Sequence, residues 1–265
     1  MVGQTAAMDA SRHLDLLRIE GERLAAVPVE SLGAPVPNLA DWTVERVLRH
    51  TGKVHQWVTA TLAAGPGADL AADLPGIPKG PDCLPAYREA LEGVLAELGR
   101  HDGDEPAVTF AGPGTASFWF RRQAHEVAVH RIDAADAVHA AGGPAPASLA
   151  VDGAADAVDE WANLFLATRW QQSNGDFPTD LAGRTVHLHG TDDPAPADGA
   201  EWLLSFTADG VDVEATHAKG DVALRGPAQD LLLTLWRRRP LDGLGVIGVI
   251  GDADLAARVL ELARF

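Results

Sequence analysis

The run Arg121-Arg122-Gln123-Ala124-His125-Glu126-Val127-Ala128-Val129-His130-Arg131-Ile132-Asp133 places a carboxylate and an imidazole four residues apart. Four residues advance a helix by about 400°, so Glu126 and His130 project from one face, roughly 40° apart. One carboxylate oxygen and one ring nitrogen can then reach the same cation. Helical bundles assemble metal sites in this way, from inward-facing side chains of neighbouring helices. A third ligand has to come from a second helix. His50 leads, because it sits close to the apolar residues Val47 and Leu48; His55, beside Val54 and near Trp57, is the runner-up. Five residues turn a helix by about 500°, so the two imidazoles diverge by about 140° and only one can face the site. Two histidines, a glutamate and an open position suit catalytic zinc. Iron, manganese or nickel would accept the same donors. A Glu-x-x-x-His pair alone is common on solvated helix faces, so its weight depends on the elements that carry it.

Those elements are helices through the first two thirds of the chain. Residues 9–27 carry Leu14, Leu17, Ile19 and Leu24 near helical spacing, and Pro28 stops them. A second helix opens after Thr43, a plausible N-cap, with Glu45 in its first turn and an apolar stripe of Val44, Val47, Leu48, Val54, Val58 and Leu62. The Gly- and Pro-rich stretch Gly65–Pro81 reads as a long loop, and a third helix covers about Leu84–Leu98. A short apolar segment at Val108–Phe110 and a turn then lead into the longest helical pattern, about Ala116–Ala141, which Gly142-Gly143 and Pro144 terminate. A fifth helix covers about Leu149–Thr168. Beyond Trp170 a polar, turn-rich linker begins. From about residue 184 short alternating segments suggest strands, with a hairpin turn at Ala208-Asp209-Gly210, and two short helices follow at about Pro227–Arg237 and Ala253–Ala263. The expected fold is α+β: an up-down helical bundle over residues 1–172 and a small α+β domain over 184–265.

Composition narrows the function classes. The 265 residues carry a formal net charge of -17, which repels phosphate backbones and anionic lipid; neither nucleic acid nor a membrane surface is an expected partner. There is no apolar run long enough to span a bilayer and no secretory start, so a soluble cytoplasmic protein is expected. Cys83 is the only cysteine, which rules out an intrachain disulfide and a multi-cysteine metal site; it reads as structural or incidental. Abundant alanine, and arginine in preference to lysine, point to a GC-rich bacterial genome. The chain is expected to act as a monomer or homodimer.

Two segments resemble one known family. The stretch VPNLADWTVERVLRHTGKVHQWV, with its Pro-x-x-x-x-Trp-Thr-Val opening followed by His50, is similar to the start of the mycothiol-dependent maleylpyruvate isomerases. The stretch RRQAHEVAVHRIDAADA resembles that family's second signature, a His-Glu-x-x-x-His-Arg-x-Asp helix. The resemblance extends over nearly the whole chain. It implies a DinB-like metal-binding bundle followed by a sterol-carrier-like α+β domain. It also implies the ligand set His50, Glu126 and His130, and mycothiol as thiol co-substrate. One departure is Asp41, where the family usually has glycine before the tryptophan; another is the length of the Gly65–Pro81 loop.

A coordinated thiol loses its proton at neutral pH, although a free one, with a pKa near 8.5, keeps it. The thiolate can add to an electron-poor double bond. For a cis substrate such as maleylpyruvate, the bond, now single, rotates and elimination restores it as trans; in a transferase the adduct is released. An anionic substrate needs cationic clamps, for which arginine is suited. Arg122, four residues before Glu126, and Arg238, in the triple run Arg237-Arg238-Arg239, are the candidates. That run also fits a helix C-terminus, where positive charge is favourable. Trp119, two turns before Glu126, and Arg131, beside His130, are candidates for lining the thiol site. Asp133 could orient a ligand histidine or form an exposed ion pair. Two other functions remain open on the same scaffold: a non-catalytic metal- or ligand-binding stress protein, and a hydrolase in which water is the nucleophile.

Overall fold

The computed structural model describes residues 8–67, 74–170, 177–197, 199–241 and 246–263. The chain divides into two compact units, one over Met8–Ser148 and one beginning at Leu149.

Among the described residues the first unit holds four α-helices: α1 (Ala10–Ala25), α2 (Val44–Ala64), α3 (Cys83–Leu98) and α4 (Ala116–Ala140). Helix α1 packs on α3 and α4, and α2 packs on the same two, so the four enclose one core. Its centre is Leu17, Leu24, Val44, Val47, Leu48, Val58, Tyr87, Val94, Val127 and Ile132, all buried. The start of α2 follows the capping rule: Thr43 Oγ1 accepts from the Arg46 amide at 3.3 Å, and Glu45 adds a carboxylate to the first turn. Helix α4 ends where expected. Gly142, at φ +93, takes up the left-handed conformation that closes helices and donates its amide to the His139 carbonyl at 2.9 Å. The segment before α4 is more regular than expected. Strands β1 (Pro106–Thr109) and β2 (Gly112–Thr115) pair antiparallel as a small hairpin, where the sequence suggested a turn.

Helix α4 departs from the amphipathic stripe usual for a bundle helix. Trp119, Phe120, Val127, Val129, Ile132 and Ala134 are buried, and so are Arg122, Gln123, His125, His130, Arg131 and Asp133. Polar groups buried at this density need partners inside the protein, because an unpaired one costs about 1–3 kcal/mol. Their pairings shape the candidate metal centre described below.

The second unit begins with α5 (Val151–Glu160), which continues as a π-helical stretch, Trp161–Arg169. A helix was expected here, but as part of the N-terminal bundle. Instead it packs against α6 (Ala228–Leu235) and divides off with the C-terminal unit. The five-stranded sheet has the order β5-β4-β3-β6-β7, comprising β3 (Thr185–Gly190), β4 (Glu201–Phe206), β5 (Val211–Glu214), β6 (Val222–Gly226) and β7 (Gly248–Gly251). Only β3 and β6 run parallel. The β4–β5 hairpin turns at the expected Ala208-Asp209-Gly210, with Phe206 opposite Val211. One face of the sheet is apolar: Val186, Leu188, Trp202, Leu204, Phe206, Val222 and Leu224 are buried. Helix α6 packs on β3 and β6, and α7 (Ala253–Leu262) on β6 and β7. The molecule is thus α+β, a helical unit followed by a mixed one. No helix among the described residues is long and apolar enough to cross a membrane. Residues 68–73, within the expected Gly65–Pro81 loop, and 171–176, within the expected linker, lie outside the described residues.

Candidate metal centre

Glu126 and His130 sit one turn apart on α4, and His50 faces them from α2. His50 Nε2 lies 2.9 Å from Glu126 Oε1, and His130 Nε2 lies 3.4 Å from the same oxygen. The two imidazole rings are 4.8 Å apart, inclined at 70°. One donor atom from each of the three residues lies within 4.8 Å of the other two, a spacing that a single cation can bridge. Access is from the His50 side: that side chain is 39% exposed, against 20% for Glu126 and 10% for His130.

The candidate ligands have their own supports. Asp133 Oδ2 sits 2.9 Å from His130 Nδ1, which directs the Nε2 lone pair of a neutral ring toward Glu126. Asp133 is buried, so it is an orienting partner rather than an exposed ion pair. Arg122 Nη2 donates to Glu126 Oε2 at 3.0 Å, leaving Oε1 toward the two histidines. Trp42, the tryptophan of the Pro-x-x-x-x-Trp-Thr-Val opening, stacks parallel to His130 with ring centres 5.5 Å apart and meets His50 edge-on at 5.1 Å. Its loop is latched by main-chain bonds: Val36 N–H to Trp42 C=O at 2.9 Å and Val44 N–H to Ala34 C=O at 3.1 Å.

Charge is balanced within this cluster. Burial alone would raise the Glu126 carboxyl. The bond and charge of His130, the bond from His50 and the Arg122 guanidinium reverse that and hold it well below the usual carboxylate range. Burial likewise opposes charging of His130, but the bonds to Asp133 and Glu126 outweigh it and lift the imidazole to about 9. The cluster therefore retains a positive charge beside Glu126, as a proton on His130 or as a cation in its place. Two imidazole nitrogens and a carboxylate oxygen, one ring already oriented from behind, fit a divalent transition-metal ion.

Models of two domains match the chain: the mycothiol maleylpyruvate isomerase N-terminal domain over residues 15–135, and that family's C-terminal domain over 152–258. The chain belongs to the mycothiol-dependent maleylpyruvate isomerase family. Two solved structures share its fold. A mutant of the mycothiol-dependent maleylpyruvate isomerase in which a histidine is replaced by alanine superposes with a TM-score of 0.57 at 14% identity, covering 85% of this chain and 88% of that one. The unmutated isomerase does so with a TM-score of 0.55 at the same identity and coverage. No curated protein sequence matches the chain.

The other residues singled out from sequence fall in varied places within this family's fold. His55 is not among the converging ligands. It is fully buried, with Nδ1 2.7 Å from Gln123 Oε1, and burial lowers its pKa to about 4 despite that bond. Trp119 is buried among Trp57, Phe110 and Phe118 and donates its indole N–H to the Val108 carbonyl at 2.9 Å. It anchors the β1–β2 hairpin to α4 rather than lining the centre. Arg131 turns toward α1, where Nε pairs with the buried Glu20 and Nη1 donates to the Ala147 carbonyl at 2.6 Å. That position, about 100° round the helix from His130, explains why it does not face the ligands. Arg122 contacts the candidate ligand Glu126 itself. Arg238, in the C-terminal unit, lies just past the end of α6; its amide bonds the Leu233 carbonyl at 2.6 Å and its Nη1 the Trp236 carbonyl at 2.9 Å. These contacts are those of a residue closing a helix C-terminus. Asp41, where the family usually has glycine, adopts φ +63, in the left-handed region that glycine favours and aspartate tolerates. Its carbonyl accepts from Arg46 Nη1 at 3.2 Å. The departure sits directly before the tryptophan stacked on His130.

Proposed function

We propose that this chain is a metal-dependent enzyme that uses mycothiol to act on a small anionic electrophile, with cis–trans isomerisation of maleylpyruvate as the leading reaction. The observation that carries the reading is the meeting of His50 with the Glu126–His130 pair, in a chain whose two domains both match the isomerase family. His50, Glu126 and His130 would hold the ion, and zinc is the metal this donor set suits best. When bound, the ion supplies the Lewis acidity that keeps a thiol deprotonated at neutral pH.

The side chains divide the remaining work. Asp133 holds His130 in one tautomer, and Arg122 fixes the Glu126 carboxylate. The half-exposed His50 marks the side from which thiol and substrate approach, and Trp42 forms an apolar wall there. Arg46 is the cation best placed for a substrate carboxylate, because it is exposed and its guanidinium lies 4.9 Å from the Trp42 ring centre. In the isomerisation the thiolate sulfur adds to the cis double bond, the resulting single bond rotates, and expulsion of the same sulfur restores the bond as trans, so the thiol is regenerated.

The test is a steady-state assay with mycothiol and maleylpyruvate before and after chelation, with His50→Ala alongside. Loss of the Lewis acid is worth several kcal/mol, so a fall of about a thousandfold is expected in both cases, with zinc restoring only the wild type. An unchanged rate after chelation and in His50→Ala would remove the reading.

A further inference from the structure

A second cluster of ligand-type side chains lies within the C-terminal unit. Side chains alternate along a strand, so β3, reading Thr185-Val186-His187-Leu188-His189, sends Val186 and Leu188 into the apolar core and both histidines to the other face. The antiparallel register sets Glu201 of β4 directly opposite His189 and diagonal to His187. His217, in the segment between β5 and β6, closes over them. Three ring nitrogens converge on a single oxygen, Glu201 Oε2: His187 Nε2 at 2.9 Å, His189 Nδ1 at 3.0 Å and His217 Nδ1 at 2.5 Å. The ring centres form a nearly equilateral triangle, 5.4, 5.6 and 5.7 Å on its sides.

Hydrogen bonding alone accounts poorly for this arrangement. A carboxylate oxygen has two lone pairs for three approaching imidazoles. Two neutral rings giving one N–H each, His187 and His217, fill both lone pairs and leave His189 Nδ1 facing the same oxygen with none to accept it, while three protonated rings at this separation would repel. A cation among the four groups resolves the conflict by taking a lone pair from each. The spacing is right for it: metal–nitrogen bonds of 2.0–2.1 Å in a tetrahedron set ligand atoms about 3.3 Å apart. The present separations from Glu201 Oε2 come within a few tenths of an ångström of that, apart from the shorter one to His217. All four donor atoms lie within 4.8 Å of one another. A cleft of about 280 Å³, lined in part by Gly190, Ala200, Glu201, Thr216 and His217, opens beside the cluster and provides a route in.

We propose that His187, His189, Glu201 and His217 form a second metal centre, for a divalent ion of the zinc, nickel or copper class. Three imidazoles and one carboxylate select these borderline ions over magnesium or calcium, which prefer all-oxygen shells. Bound there, the ion fastens the β5–β6 segment to the two adjacent strands. The proposal does not rest on the function assigned to the N-terminal centre.

The test uses the full chain, stripped with chelator and titrated with Zn²⁺ against a chromophoric competitor. Wild type is expected to lose one tightly bound equivalent per chain in His189→Asn/His217→Ala, while His50→Ala retains that equivalent. Both substituted side chains face away from the apolar core, and circular dichroism checks the fold. If the double variant fails to fold, His217→Ala alone, at a side chain that is 76% exposed, is expected to weaken this equivalent at least tenfold. Equal zinc content and affinity in wild type and a folded variant would overturn the proposal, leaving a hydrogen-bonded cluster only.

Discussion

The two histidine–glutamate clusters use the same donor types and differ in how they are built. In the helical unit, Glu126 and His130 are locked to one α-helix face, and each is braced from outside, by Arg122 and by Asp133. In the mixed unit, only His187 and His189 share an element; Glu201 arrives through strand register and His217 from a connecting segment. A site braced by buried charges is stiff and keeps one face open, which suits turnover. A site that gathers four ligands, one of them exposed, encloses its ion and suits a fastening role. Breaking the braces of the first cluster should therefore change its chemistry while leaving the second untouched.

The largest effect is expected where a buried charge loses its partner away from both ligand sets. Arg131→Met leaves Glu20 buried with only the partly exposed Arg23 beside it, and should cost about 3–5 kcal/mol of stability in denaturant unfolding. The zinc content of the folded fraction should be unchanged. A raised KM for mycothiol at unaltered stability would instead place Arg131 at the thiol site. Next comes Asp133→Asn, which removes the charged brace behind His130. Metal affinity of the helical centre should drop about 10–100-fold by chelator competition, with no change in the equivalent held by the His187 cluster. The smallest effect concerns His55. Its pKa is lowered in the fold to about 4 from an ordinary 6.5, so the unfolded chain binds the proton first. Stability from this group is intact above pH 6.5 and is lost as pH falls toward 4, by about 2 kcal/mol between pH 7 and 5. His55→Gln should flatten that part of the urea-midpoint profile, without altering zinc stoichiometry.

What could be read from sequence follows the same division. The spacing of Glu126 and His130 and the alternative positions of His50 and His55 are matters of helical geometry, and local geometry survives folding. The hairpin turn at Asp209-Gly210 was equally plain. Non-local pairing was not. Arg131 reads as a thiol-site residue, from its place beside His130, until Glu20 on α1 is brought to it. Asp133 reads equally as an orienting partner or an exposed ion pair until burial decides between them. Trp42 reaches His130 from a loop, and wheel geometry says nothing about loops. The fifth helix has an apolar stripe, but a stripe does not say which unit it will pack in. The Glu201 cluster was missed altogether because strand register, not spacing along the chain, assembles it. The alternating His-x-His of β3 was its only local sign.

The latch that holds Trp42 runs through main-chain groups of Ala34, Val36, Leu39, Trp42 and Val44. Leu39 and Ala40 can therefore change identity while the indole keeps its place beside the histidines. The position of the indole beside the two histidines is inherited from peptide geometry, and changes at those two positions can tune which molecules come near it.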